Sequence, residues 1–261
     1  MTAVEIDRDL LGTLTETMRA CTQVSPSITA RAMLADFVEW ACERLEGRLF
    51  APQDGGFDLA ILNPPYQKLA TSSAVRQMLS GAGINVTNLY AAFVALALGL
   101  LNPGGQLVAI TPRSFCNGPY FRAFRQALLE NAALRRIHLF EARNRAFRDT
   151  GVLQENVVIH LVKGAPQAEV TISTSVGSGE EEAVQEELVP FARVVHPEDR
   201  DAFIRIVSGD PAAAAATRIA ELECSLSAAG AAVSTGRVVD FRVREHLRES
   251  VTDGTVPLLY P

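Results

Sequence analysis

Short apolar runs alternate with longer mixed ones over the first 165 residues, a pattern that predicts strands separated by helices. Val4 to Ile6 reads as a strand, and Asp7 as the cap of a helix running to about Arg19. After the turn signal Ser25-Pro26-Ser27, Ile28 to Leu34 reads as a second strand ending at Asp36, and Trp40 to Phe50 as a helix. Asp54-Gly55-Gly56 predicts a loop. The run Phe57-Asp58-Leu59-Ala60-Ile61-Leu62 is too short for an ordinary helix and rich in residues that pack between layers, so it reads as a buried strand. Gln67 to Val86 is polar and poorly periodic, which predicts a loop holding a short helix around Ser73–Ser80. Asn88 to Leu101 predicts a helix, stopped sharply by Asn102-Pro103-Gly104-Gly105. Gln106 to Thr111 then reads as a strand, Pro119 to Asn131 as a helix, and Leu134 to Phe140 and Leu153 to Val162 as strands. Such alternation implies an α/β fold with a mostly parallel sheet covered on both faces.

The pattern changes after Lys163-Gly164-Ala165-Pro166. Glu169 to Ser173 predicts one more strand, Ser175 to Gln185 is polar and acidic, and Pro197 to Val207 predicts a helix. Ala212 to Leu226 is alanine-rich and helical in propensity. The expected division is therefore one domain over residues 1–164 and the beginning of a second over 165–261.

Composition narrows the setting. With 48% apolar residues in 261, a sizeable core is available. The longest dense apolar stretch, Leu89 to Leu101, falls short of the roughly 20 residues that cross a bilayer, so no membrane partner is expected. Met1 to Asp7 carries no secretory signal, and Cys21, Cys42, Cys116 and Cys224 are scattered, as reduced thiols of a cytoplasmic protein would be. No His or Cys spacing suggests a metal. The net charge of −6 conceals a segregation, since Arg113 to Arg148 holds eight arginines against two glutamates. Such a stretch can meet phosphates even in an acidic protein, and Arg122, Arg125 and Arg143 are its expected contacts.

The chemistry concentrates at Asn63-Pro64-Pro65-Tyr66, directly after the strand Phe57–Leu62. Two prolines forbid ladder pairing and helix, so the backbone must leave the sheet as a stiff, extended turn. Open α/β sheets place their chemistry at the carboxyl ends of parallel strands. The turn offers an amide side chain, backbone carbonyls without competing N–H groups, and an aromatic ring. That set suits an exocyclic amino group and the base that carries it.

In its order and rough spacing, this turn and its flanks resemble the DNA N6-adenine methyltransferases that use S-adenosylmethionine. The closest resemblance is to bacterial restriction–modification enzymes with methylase and target-recognition domains in one polypeptide. The flanking segments are Val4-Glu5-Ile6-Asp7, Leu34-Ala35-Asp36-Phe37, Asn88-Leu89-Tyr90 through Ile110-Thr111-Pro112-Arg113-Ser114-Phe115, and Phe147 followed by Val152 to Ile159. Ser234 to Arg242 and Val256 to Pro261 resemble the entry to the target-recognition region.

The resemblance implies a class I methyltransferase (Rossmann-like) fold and methyl transfer to N6 of a flipped adenine. Asn63 and the Pro64 carbonyl would accept from the amino group, Pro65 would stiffen the turn, and Tyr66 and Phe147 would stack on the two faces of the base. Glu5 would hold the cofactor ribose, Asp36 would read its adenine, and Ile6 and Phe37 would pack on that ring. Double-stranded DNA is the implied partner, with a nuclease domain or a polypeptide supplying the upstream segment as further ones. Class I enzymes begin with a strand and a glycine-rich turn, expected here just before Glu5 and between the strands ending at Glu5 and Leu62. Its absence would leave two open strand edges and a gap. Two alternatives remain: a protein glutamine N5-methyltransferase using the same turn, and a catalytically inactive DNA-binding or assembly subunit. No cysteine follows a proline, as a cytosine C5 nucleophile would require.

Overall fold

The computed structural model describes residues 1–25, 27–47, 56–140, 155–175 and 184–206, and beyond them 218–219, 222, 224, 226, 228–232, 244–248, 250 and 252–256. The chain falls into two compact units, Met1–Ala213 and Ala214–Pro261. The first contains every strand described.

That unit opens with two β/α steps. Strand β1 (Thr2–Glu5) leads to α1 (Arg8–Val24), whose first turn is capped by Asp7 accepting from the Asp9 N–H at 2.8 Å. Strand β2 (Arg31–Leu34) pairs in parallel with β1, Glu5 opposite Leu34, and is followed by α2 (Phe37–Gly47). A six-stranded sheet follows, built from β3 (Phe57–Leu62), β4 (Leu101–Pro112), β5 (Ala132–Phe140), β6 (Asn156–Lys163), β7 (Glu169–Ser175) and β8 (Val184–Pro190). Its order is β3-β4-β6-β5-β7-β8. The pairings run β3, β4, β5 and β7 in one direction and β6 and β8 in the other, so the sheet is mostly parallel. Between strands lie α3 (Ala74–Gly81), α4 (Leu89–Leu100) and α5 (Arg122–Asn131), with the short α6 (Phe191–Val194) after β8.

The core forms where α4 lies on β3 and β4 and α5 on β5. Helix α4 is apolar around its whole circumference, as a fully enclosed helix must be. Leu96, Leu107, Ile159 and Leu161 lose essentially all solvent contact, each contributing about 1.5–3 kcal/mol. No helix among the described residues is long and apolar enough to cross a membrane.

Several expectations change. Strand β3 is an edge strand, not a buried one: it bonds only to β4, and Leu59 and Ile61 are 70% and 86% exposed. Covering on both faces also fails along β4, though not along β5, where consecutive Ala132, Ala133 and Leu134 are all buried. Along β4, Leu107, Ala109 and Thr111 are buried while Gln106 and Val108 on the other face are exposed. Asn102–Gly105 does not end α4 in a loop. It lies within β4 as a bulge, the register passing from Phe57↔Leu101 to Leu59↔Gln106, because Leu101 already turns extended at the helix end. The helix expected over Pro197–Val207 is replaced by turns. Asp199 accepts from the N–H groups of Asp201 and Phe203, and Ala202 takes a positive φ of 50°. The sheet crosses residue 165 without a break, β7 pairing in parallel with β5 and β8 pairing antiparallel with β7. The helix expected over Ala212–Leu226 and the segments Ser234–Arg242 and Val256–Pro261 lie largely outside the described residues.

Candidate active site

The turn Asn63–Tyr66 leaves the carboxyl end of β3 with Asn63 and Pro65 exposed, Pro64 buried and Tyr66 half-buried. The buried proline anchors the backbone while the amide in front of it faces solvent. Beyond the turn, Leu89 N–H donates to the Gln67 carbonyl (2.8 Å) and Leu69 N–H to that of Thr87 (2.9 Å), tying the exit of the turn to the start of α4. The Tyr66 ring meets the ring of Tyr90 edge-on, centroids 6.1 Å apart at 82°. Tyr90 is buried beside Ser114 and Asn88, and burial pushes its phenol far above the usual range. Burial raises the Tyr66 phenol as well, so both rings are neutral at any physiological pH.

Asn63 and Pro64 line a groove of about 340 Å³ together with Thr2, Ala3 and Val4 of β1, Phe37 and Trp40 of α2, and Phe93 of α4. Phe37 lies against Phe93 at 4.6 Å between centroids. The groove separates β1 from β3, and the open edges of both strands lie along it. The structure thus brings Asn63 and Pro64 of the turn and one of the four expected cofactor residues, Phe37, to a single cleft.

The other three stand at the ends of β1 and β2. Ala35 N–H donates to the Glu5 carbonyl at 2.9 Å, so parallel pairing delivers Glu5 and Asp36 to the same end of the two-stranded sheet. Glu5 Oε1 accepts from Asp7 N–H at 2.8 Å. Asp36 Oδ1 accepts from the N–H groups of Val38 and Glu39 (2.7 and 3.3 Å), capping α2 and leaving the second carboxylate oxygen for other work. Ile6 is 67% exposed. Phe147, expected to stack on the far face of the base, lies outside the described residues. Sequence reasoning assigned no role to Tyr90 or Phe93. Their i, i+3 spacing puts both on one side of α4, but in a helix apolar all round that spacing carries no distinguishing signal.

Residues 14–147, just over half of the chain, match the Eco57I restriction-modification methylase family. The chain belongs to that family. It is 44% identical over 260 residues to the Type II methyltransferase M.BsuBI of Bacillus subtilis, covering 99% of this chain and 51% of that protein. It is likewise 44% identical over 228 residues to the Type II methyltransferase M.PstI of Providencia stuartii, covering 87% and 44%. The chain therefore spans about half the length of the curated relatives it matches. Among solved structures, a type I restriction-modification methyltransferase subunit from Streptococcus thermophilus superposes with a TM-score of 0.52 at 18% identity, covering 77% of this chain and 47% of that one. A protein from Listeria monocytogenes assigned as a class I S-adenosylmethionine-dependent methyltransferase gives 0.50 at 13% identity, covering 69% and 50%. The fold is that of the class I methyltransferases.

In this chain the arginine-rich stretch is largely occupied within the molecule among the described residues, contrary to the expectation of free phosphate contacts. Arg125 is completely buried and bonds backbone carbonyls. Arg113 pairs with Glu155 (3.0 Å), Arg122 with Asp201 (3.4 Å) and Arg136 with Glu186, while Arg135 donates to the Pro166 carbonyl. The acidic segment after β7 supplies part of the neutralisation that the charge pattern alone could not locate. Arg143, Arg145 and Arg148 lie outside the described residues. Cys116, in the turn after β4, is buried, and burial pushes its thiol up to about 12.

Proposed function

We propose that this chain is the catalytic part of a DNA N6-adenine methyltransferase of a restriction–modification system, taking its methyl group from S-adenosylmethionine. The observation that carries the reading is the Asn63–Tyr66 turn at the end of β3, opening on the groove that also holds Phe37. Family membership supports it, and no feature of the site favours glutamine methylation or an inactive subunit.

The donor set fits the cofactor. Phe37 and Phe93 offer an aromatic wall for its adenine, and Glu5 and Asp36 offer acceptors for ribose hydroxyls and an amino group. When bound, S-adenosylmethionine supplies a methyl group on a positively charged sulfur, ready for attack by an amine lone pair. Everything else falls to the chain. A duplex adenine is inaccessible, so the base must leave the stack. Tyr66 provides a face for it, worth about 1–3 kcal/mol of stacking. The Asn63 amide oxygen and the Pro64 carbonyl accept from the two N6 hydrogens, orienting the nitrogen lone pair out of the plane of the base. Positioning supplies most of the rate, as no side-chain nucleophile is needed. The N6 proton leaves to solvent after transfer.

Duplex DNA is the partner in this reading, with a nuclease either fused or separate. A functional division near residue 165, with a methylase part before it and a target-recognition part after it, belongs to the same proposal, β7 and β8 being the strands by which the methylase sheet extends past that point. A direct test uses two synthetic duplex pools and labelled S-adenosylmethionine. Label should enter ordinary duplexes and be excluded from duplexes whose adenines already carry N6-methyl groups. Equal incorporation into both refutes the assignment.

A further inference from the structure

Arg125 is the bulkiest fully buried side chain among the described residues, and the reaction above leaves it unused. It forms no direct ion pair among the described contacts. Its Nη1 donates to the carbonyls of Phe115 (2.8 Å) and Gly118 (2.7 Å), and its Nε and Nη2 both donate to that of Asp201 (3.0 and 2.8 Å). The guanidinium also lies over the Phe203 ring, 4.7 Å from its centroid. Three segments thereby meet at one side chain: helix α5, the turn Arg113–Phe121 that follows β4, and the stretch Asp199–Arg205. Ile204 N–H donating to the Cys116 carbonyl (2.9 Å), and the Gln126 amide donating to that of Arg200 (3.0 Å), close the same joint.

The turn held in this way reaches the site. Gly118 sits so close to Phe121 that a Cβ would come within 2.9 Å of the ring, so the position of this backbone sets the position of the ring. Phe121 stacks toward Tyr90, centroids 5.8 Å apart, and Ser114 of the same turn flanks the Tyr90 hydroxyl. Tyr90 in turn meets Tyr66 edge-on. We infer that Arg125 is a positioning residue for the catalytic turn: it fixes Arg113–Phe121, which fixes Tyr90, which holds the ring of Tyr66 in place. The inference rests on the reading of Tyr66 as the stacking platform. Lysine cannot substitute, because one ammonium cannot span carbonyls on two segments as a planar fork does.

The test compares Arg125→Lys, Phe203→Leu and Tyr66→Ala, singly and combined, in the native-length polypeptide. Hydrogen exchange in peptides covering residues 63–69 should quicken about tenfold in Arg125→Lys at temperatures well below its melting point. Methyl transfer to duplex DNA should fall about 10- to 100-fold in kcat, with the KM for S-adenosylmethionine within about twofold. In the Tyr66→Ala background, Arg125→Lys should cost almost nothing further, since both act through one ring. Phe203→Leu, a milder change outside the site, should shift exchange and kcat in the same direction, which keeps the test alive if Arg125→Lys does not fold. A lowered melting temperature with unchanged exchange at 63–69 and unchanged kcat overturns the inference. If the unaltered protein transfers no methyl group to DNA, the functional reading fails, while the exchange comparison still decides whether Arg125 positions the turn.

Discussion

Asn63 and Pro64 divide the work of the turn between them. The proline is buried and holds the backbone, whereas the asparagine side chain stands in solvent and contributes little to packing. Asn63→Ala should therefore abolish methyl transfer, by about 10²- to 10³-fold or more, while leaving melting temperature and duplex affinity almost unchanged. Tyr66→Trp should retain far more activity than Tyr66→Ala, because stacking survives in the first and not in the second; equal losses would argue against the stacking role. Rate, affinity and melting measurements on the three variants decide this. At this scale the sequence was legible wherever rigidity is written into the residues themselves, as in two consecutive prolines. It was silent on the roles of Tyr90 and Phe93, which come from tertiary neighbours far apart in the chain. Arg125 was also misread, since a guanidinium in a basic run looks like a phosphate contact until its carbonyl partners are known.

Among the elements, those with local punctuation were read closely. Asp7 caps α1, Ser73 caps α3 by accepting from Arg76 N–H at 3.3 Å, and the bounds of β3 follow the apolar run. Where competing signals met, tertiary context decided. Asn102–Gly105 carries turn chemistry yet lies inside β4, and β8 escaped notice because an edge strand with mostly exposed residues has little apolar pattern to show. The stretch Asp199–Arg205 reads as a helix by propensity, but the Asp199 carboxylate organises it into turns. Burial would raise that carboxylate, but the Asp201 N–H, the Arg205 guanidinium at 2.7 Å and the Phe203 N–H outweigh it and hold the group below the usual carboxylate range. A carboxylate depressed in the folded state contributes stability above its unfolded pKa, and the contribution is lost as pH falls through the folded value. Asp199→Asn should accordingly lower the melting temperature at pH 7 and flatten its fall on acidification below about pH 4. Thermal melts of both proteins across that range check it; parallel curves would show that Asp199 is not the organising group.

For the molecule as a whole, the expected gap between the strands ending at Glu5 and Leu62 corresponds to the groove between β1 and β3, with Leu59 and Ile61 exposed along it. Unpaired strand edges invite pairing. A polypeptide segment able to pair with both edges at once, supplied in cis or in trans, should raise the melting temperature of this chain and tighten its binding of S-adenosylmethionine. Calorimetry with and without such a segment tests this, and identical melts and affinities would contradict it. The overall class was readable because order and spacing of segments survive in sequence, whereas the one-sided covering of β4 and the continuation of the sheet through β7 and β8 depend on pairings that no local pattern encodes. The most direct measurement of the central claim is nucleoside analysis by mass spectrometry, after incubation of the native-length protein with duplex DNA and isotopically labelled S-adenosylmethionine. Label is expected in N6-methyldeoxyadenosine and is expected to be absent with Asn63→Ala; label confined to methylcytosine or to protein would rule out adenine N6 as the acceptor.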